Sequence, residues 1–123
     1  MKVRGILIID DEAYVAKLMQ KDIEDNGYTL ETASDGENGI RQAIANPPRL
    51  ILLDILMPAL DGYQVLSRLR KEPGLLRYLP IVIMTSQSDS RAIRKAMALG
   101  ATDYLIKPCT PKDLLDILRR YLL

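Results

Sequence analysis

The most informative stretch of the chain is residues 50–58, Leu-Ile-Leu-Leu-Asp-Ile-Leu-Met-Pro. Its four consecutive apolar residues are typical of a strand that is buried on both faces inside a parallel sheet. Asp54 then places a carboxylate at the point where that strand should end. Because burying an ionised carboxylate without a partner is costly, Asp54 is either a turn residue or part of a polar site.

The composition indicates one globular domain, residues 1–123, with 48% hydrophobic and 27% charged residues. The net charge of +1 argues against a general affinity for nucleic acid or anionic membranes, and no apolar run approaches the length of a bilayer-spanning helix. The single cysteine, Cys109, cannot form an internal disulfide, so we expect a cytoplasmic protein. Because histidine is absent, imidazole metal sites and Ser-His catalysis are excluded.

Five strand-like apolar runs alternate with five helical patterns. The runs cover residues 6–9, 28–33, 50–53, 80–84 and 104–106. Apolar residues recur at helical spacing between them: Val15, Leu18, Met19 and Ile23 form one stripe in the first helix, and Ile40, Ala43 and Ile44 face inward in the second. This alternation predicts an α/β fold with helices on both faces of a parallel sheet. Right-handed crossovers favour the flavodoxin-like, doubly wound order 2-1-3-4-5.

Polar side chains follow four of the predicted strands at their carboxyl ends. They are Asp10 and Asp11 after the first strand, Asp54 after the third, Thr85 and Ser86 after the fourth, and Lys107 after the fifth. Because these ends build the ligand site of an open parallel sheet, we expect the side chains to converge. Three carboxylates would repel one another unless a cation joins them, and Mg²⁺ suits oxygen-only ligands. A carboxylate beside Mg²⁺, a hydroxyl and a lysine is suited to phosphoryl transfer.

Each of these residues also has a simpler structural interpretation. Asp10 and Asp11 could cap a helix, and Asp54 could form a turn. Thr85 could likewise be a cap, and Lys107 a solvated surface residue. Their joint placement at one end of one sheet favours a functional site.

With these residues identified, the chain resembles the receiver domains of two-component response regulators over essentially its whole length. The matching segments are Asp10-Asp11-Glu12, residues 53–58 with Asp61-Gly62, Met84-Thr85-Ser86, and residues 100–108. The resemblance implies that Asp54 accepts a phosphoryl group from a phosphohistidine on a histidine kinase or a histidine phosphotransfer protein. It implies that Asp11, Asp54 and the backbone carbonyl of Leu56 bind Mg²⁺, with Asp10 assisting through water. It also implies that Lys107 contacts the phosphoryl group and that the Lys107-Pro108 peptide is cis.

The same resemblance implies a conformational switch. Thr85 would turn toward the phosphoryl oxygens, Tyr104 would swing inward, and the surface of helix four, strand five and helix five would change its affinity for partners. Leu56 and Gln87 would flank the path of the hydrolytic water. Because the Leu56 side chain cannot hydrogen-bond to water, we expect slow self-dephosphorylation.

The last helix is apolar over more of its circumference than one core-facing stripe requires. This pattern indicates either a broad core face or a surface on helices four and five for a homodimer or an output partner. Cys109 stands where receivers often have a bulky apolar residue, which predicts looser packing below the Lys107-Pro108 turn.

The predicted function is therefore a phosphoacceptor signalling switch that catalyses only its own phosphorylation and slow dephosphorylation, without binding nucleic acid or membrane. One alternative is a Mg²⁺-dependent phosphatase or hydrolase. The short loops and the lack of an evident substrate pocket argue against it. Another is an interaction module that works without phosphorylation. The chain ends at Leu122-Leu123 without a helix cap, which suggests that it was cut from a longer protein.

Overall fold

The structure is a computed structural model that describes residues 3–86 and 90–122. Its strands are β1 (Val3–Ile9), β2 (Tyr28–Ala33), β3 (Leu50–Asp54), β4 (Ile81–Thr85) and β5 (Asp103–Ile106). Its helices are α1 (Ala13–Asp25), α2 (Gly36–Ala45), α3 (Gly62–Lys71), α4 (Ser90–Ala98) and α5 (Pro111–Leu122). The strands form one parallel sheet in the order β2-β1-β3-β4-β5, which confirms the predicted fold class. A short 3-10 helix between α3 and β4, Gly74–Arg77, was not predicted.

The sheet separates two apolar clusters, because successive strand residues point to opposite faces. On one face, Ile51 and Leu53 of β3 pack with residues of α2, α3 and α4. On the other, Leu50 and Leu52 pack with residues of α1 and α5. All five residues of β3 are buried, so the central strand is covered on both sides as its apolar run predicted.

Side chains cap three of the helices. Asp35 accepts a hydrogen bond from the Asn38 N–H at the start of α2. Asp61 forms a reciprocal capping box with Gln64 in α3. In α5, the Thr110 hydroxyl accepts from the backbone N–H of Asp113, 3.1 Å away.

Two inward-facing predictions for helix residues are wrong. The Leu18 side chain is 72% exposed and lines a groove beside α1, and Ile44 is 47% exposed in the last turn of α2. Both lie at the margin of their apolar stripe. Helical periodicity shows which way an apolar stripe faces. It does not show how much of that stripe the neighbouring elements cover.

The apolar circumference of α5 is largely a broad core face. The cluster between α1, α5 and the sheet buries Leu114, Ile117, Leu118 and Leu122, and Leu115 and Tyr121 pack partly buried against it. Cys109 also packs against this cluster, and burial raises the pKa of its thiol. Within residues 3–86 and 90–122, none of the helices has the length and hydropathy needed to cross a bilayer.

Candidate functional site

The carboxyl ends of β1, β3 and β5 bring Asp10, Asp54 and Lys107 together. Asp10 directly follows β1 and Asp54 is the last residue of β3, and these two strands are neighbours, with Ile9 paired to Leu53. The Lys107 ammonium Nζ lies 2.7 Å from Asp10 Oδ2 and 3.4 Å from Asp54 Oδ1. The convergence expected from the strand order is therefore present for these three side chains.

Four carboxylates form a cluster at this edge of the sheet. Asp10 and Asp54 are buried, whereas Asp11 and Glu12 are exposed, and each of the four offers an oxygen within 4.8 Å of the others. A hard cation such as Mg²⁺ prefers oxygen ligands of this type. The donor set thus fits the divalent ion that the sequence predicted.

Glu12 is a member of this cluster that the sequence reasoning did not name as a site residue. Its Oε1 lies 3.9 Å from Lys107 Nζ, and its backbone N–H donates to Asp10 Oδ1 at 2.9 Å. Glu12 also occupies the position before α1 without making a side-chain cap, and neither Asp10 nor Asp11 is the capping residue of that helix. Its place beside Asp10-Asp11 was the signal that could have identified it.

The electrostatics of the site favour a cation beside the acidic pair. Burial raises the pKa of Asp54 to about 6, with a further contribution from the Asp10 carboxylate that the contacts with Lys107 partly offset. Burial by itself lowers the pKa of Lys107, but the hydrogen bonds and charges of Asp10 and Asp54 outweigh it, so this pKa is raised. Lys107 therefore stays protonated at the site. The Asp54 carboxyl loses its proton at a higher pH than an ordinary aspartate does.

The loop after β3 holds the backbone close to the Asp54 carboxylate. The Leu56 N–H points toward Asp54 Oδ1 at 3.4 Å, and the Gly62 N–H donates to the Ile55 carbonyl at 2.9 Å. A Cβ atom on Gly62 would lie 2.4 Å from the Asp54 carbonyl oxygen, so only glycine permits this approach. Ala59 in the same loop has a φ of 64°, in the left-handed region.

The remaining predicted site residues lie around this centre. Thr85 is buried at the end of β4, and its carbonyl accepts from the Lys107 N–H at 2.7 Å. Tyr104 on β5 is 43% exposed, and Leu56 is 54% exposed beside Asp54. The Lys107-Pro108 peptide is cis. Gln87 lies outside the described residues, so its predicted place beside the water path stays a prediction.

A groove of about 480 Å³ opens beside the site, between α1 and the loop after β5. Asp54 and Lys107 lie at one end, and the walls are mainly apolar, including Tyr14, Leu18 and Pro108. This groove was not predictable from local sequence patterns, because its two walls come from segments about 90 residues apart. The groove provides space for a partner segment next to Asp54.

The comparisons with known proteins agree with this geometry. Residues 6–119 match the family model for the response regulator receiver domain. The transcriptional regulatory protein PhoP of Bacillus subtilis, named for alkaline phosphatase synthesis, is 37% identical over 110 residues, or 89% of this chain and 45% of its own length. A probable transcriptional regulator ycf27 from Porphyridium aerugineum is 39% identical over 114 residues, or 93% of this chain and 46% of its own length.

Solved structures show the same fold over nearly the whole chain. Chemotaxis protein CheY4 of Vibrio cholerae has a TM-score of 0.90 at 28% identity, covering 99% of this chain and 100% of that one. A putative response regulator from Chloroflexus aurantiacus has a TM-score of 0.90 at 34% identity, covering 99% and 98%. The chain therefore belongs to the response regulator receiver domain family of two-component systems. It spans about half the length of the curated relatives that it matches.

Proposed function

We propose that residues 1–123 act as one cytoplasmic receiver domain in which Asp54 accepts a phosphoryl group from a phosphohistidine. The donor would be a histidine kinase or a histidine phosphotransfer protein. The observation that carries the proposal is the contact of the Lys107 ammonium with two buried carboxylates, 2.7 Å from Asp10 and 3.4 Å from Asp54. A partly buried cation at this position is suited to stabilising the charge of a phosphoryl group on Asp54.

The transfer forms one bond and breaks one. An Asp54 carboxylate oxygen attacks phosphorus, the O–P bond of an acyl phosphate forms, and the N–P bond to the donor imidazole breaks. The imidazole leaves with the electron pair of that bond and takes a proton from solvent. Lys107 holds its proton throughout, because its pKa is raised, and neutralises charge on the phosphoryl oxygens.

In this proposal Asp11, Asp54 and the backbone carbonyl of Leu56 hold Mg²⁺, with Asp10 assisting through water. The bound ion supplies charge neutralisation for three carboxylates and the incoming phosphoryl oxygens. Glu12 stands within the same oxygen cluster and is a further candidate for a water-mediated contact. Asp10 also orients Lys107 through its 2.7 Å contact.

Phosphorylation of Asp54 would change the α4–β5–α5 surface through the residues that lie between Asp54 and that surface. Thr85 would turn toward the phosphoryl oxygens, and the exposed Tyr104 side chain would swing inward behind it. The changed surface would bind an output partner or a second copy of the chain through α4 and α5. This domain would contact neither nucleic acid nor membrane itself, and its only catalysis would be its own phosphorylation and slow dephosphorylation.

The groove beside Asp54 supports one alternative, a Mg²⁺-dependent hydrolase that acts on an outside phosphate ester. Its walls away from Asp54 and Lys107 are mainly apolar, so they offer few groups to bind a charged substrate. Docking of a protein donor fits this lining better. Repeated turnover of p-nitrophenyl phosphate would favour the hydrolase.

The proposal is tested by intact mass after incubation with Mg²⁺ and acetyl phosphate. We expect one labile phosphoryl group on the parent protein and on Asp25→Ala, which removes an exposed carboxylate of α1, and none on Asp54→Ala. Labelling of Asp54→Ala to the parent level would contradict the assignment. Failure of the parent to accept phosphate from both acetyl phosphate and a phosphohistidine donor would leave only a phosphorylation-independent interaction module.

A further inference from the structure

Glu12 is the carboxylate of the acidic cluster that lies between the acceptor and the open part of the groove beside α1. Of the four clustered carboxylates, those of Glu12 and Asp54 line that groove. Those of Asp10 and Asp11 do not. The Glu12 side chain is 48% exposed, whereas the Asp54 side chain is 5% exposed. A phosphoryl donor that enters the groove therefore meets the Glu12 carboxylate next to the acceptor.

Contacts with the surrounding chain hold the Glu12 carboxylate in this position. Its Oε1 lies 3.9 Å from Lys107 Nζ, and the backbone N–H of Glu12 donates to Asp10 Oδ1 at 2.9 Å. A hydrogen bond with Glu12 raises the pKa of the Tyr14 hydroxyl, and Tyr14 also lines the groove. A carboxylate has about four lone-pair sites, so these contacts leave room for a further hydrogen-bond donor. Glu12 is thus a positioned and accessible acceptor on the groove wall.

A phosphohistidine presents a hydrogen-bond donor that suits such an acceptor. One ring nitrogen carries the phosphoryl group, and the second ring nitrogen can carry a proton. The first nitrogen keeps the electron pair when the N–P bond breaks, so the ring leaves as neutral imidazole only if the second nitrogen is protonated. A neutral imidazole is a better leaving group than an imidazolate anion. A carboxylate beside the second nitrogen favours its protonated form.

The charges of the site match the two ends of this donor. Lys107 supplies the positive charge that the phosphoryl oxygens need, and Glu12 supplies the negative charge that a protonated imidazole needs. Acetyl phosphate has the same phosphoryl group, but its leaving group is a carboxylate. It therefore offers Glu12 neither a hydrogen-bond donor nor a positive charge, so Glu12 should favour donors that carry an imidazole.

We propose that the Glu12 carboxylate accepts a hydrogen bond from the second ring nitrogen of the phosphohistidine and keeps that ring protonated during transfer to Asp54. The O–P bond to Asp54 forms, the N–P bond breaks, and its electron pair stays on the nitrogen that carried the phosphoryl group. The proton that the imidazole takes from solvent is then on the second nitrogen before the N–P bond breaks, and the ring departs neutral. This inference rests on the proposed function, because it names the part of the donor that the same site recognises.

Paired rate measurements with two small donors test this role. Phosphoimidazole supplies the phosphoryl group on an imidazole ring, and acetyl phosphate supplies it without a ring. Each protein is incubated with either donor at saturating Mg²⁺, and intact mass gives the two labelling rates. We expect Glu12→Gln to lower the ratio of the phosphoimidazole rate to the acetyl phosphate rate about tenfold, as the loss of one charge-assisted hydrogen bond implies. Because both rates are measured on the same protein, losses of folding or of Mg²⁺ binding cancel in the ratio.

The matched control is Asp22→Asn, which removes a carboxylate that lines the same groove outside the acidic cluster and should leave the ratio unchanged. An unchanged ratio in Glu12→Gln would overturn the proposal, as would an equal fall in Asp22→Asn, which would show that only the charge of the groove matters. Labelling of the parent by acetyl phosphate but not by phosphoimidazole would overturn it and leave the proposed function in place. If neither small donor labels the parent, the role of Glu12 falls, whereas the proposed function falls only if a phosphohistidine protein fails as well.

Discussion

Replacing Arg70 by methionine should cause a large loss of stability, because one half-buried guanidinium satisfies three backbone carbonyls and one hydroxyl. The four donor–acceptor distances run from 2.7 to 3.2 Å. Burial lowers the pKa of Arg70, but arginine remains charged at any pH at which the protein is folded. At about 1 kcal/mol net for each hydrogen bond, Arg70→Met should lower the free energy of unfolding by about 4 kcal/mol. That is a large part of the roughly 5–15 kcal/mol typical of a domain.

Urea unfolding, followed by circular dichroism, measures this loss. With a slope of about 2 kcal/mol per molar urea, the midpoint of Arg70→Met should fall by about 2 M. The matched control is Arg68→Met on the same helix, whose guanidinium forms an exposed ion pair with Glu37 at 2.7 Å. Exposed pairs contribute about 0.2–1 kcal/mol, so its midpoint should fall by less than about 0.5 M. Equal shifts in the two variants would refute the reasoning that geometry and burial, rather than charge, make Arg70 important.

Two further predictions concern the acceptor site. In Mg²⁺-free buffer, Asp54→Asn should have a free energy of unfolding up to about 3 kcal/mol above the parent at pH 8 and close to it at pH 4. Burial raises the pKa of Asp54 to about 6 in the folded protein, against about 4 in the unfolded chain. The parent therefore loses stability as the pH rises between these two values. Equal urea midpoints for the parent and Asp54→Asn at pH 8 would contradict this prediction. Leu56→Asn should lose its phosphoryl group faster than the parent, since an amide can orient the attacking water. Intact mass after removal of acetyl phosphate measures the loss, with the exposed Leu75→Asn as control, and an unchanged or slower rate would count against a role for Leu56.

Much of the fold could be predicted because its signals are local. Strand runs, helix stripes and caps are read within a few residues, and Asp35, Asp61 and Thr110 each cap the helix that begins directly after them. The strand order followed from general rules of chain connection rather than from particular contacts. The errors at Leu18 and Ile44 arose where a stripe is wider than the surface that covers it.

The placement of the site residues at one end of the sheet was predictable for the same reason, since each follows a recognisable strand. Their mutual distances were not. The contact of Lys107 with Asp10 joins residues 97 positions apart, and the 2.7 Å distance depends on how β1 and β5 lie across the sheet. The inclusion of Glu12 and the apolar groove beside Asp54 likewise depend on the packing of α1 against the loop after β5.

By itself, the sequence determined the alternation of strands and helices, the strand ends that carry carboxylates and lysine, and the likeness to receiver domains. Only the tertiary structure decided which distant backbone groups the side chains of α3 contact. Arg70 and Tyr63 resemble ordinary residues of an amphipathic helix in the sequence, and their partners are in separate elements about 30 residues away. Local propensity cannot encode such contacts, because they exist only once the helices have packed on the sheet.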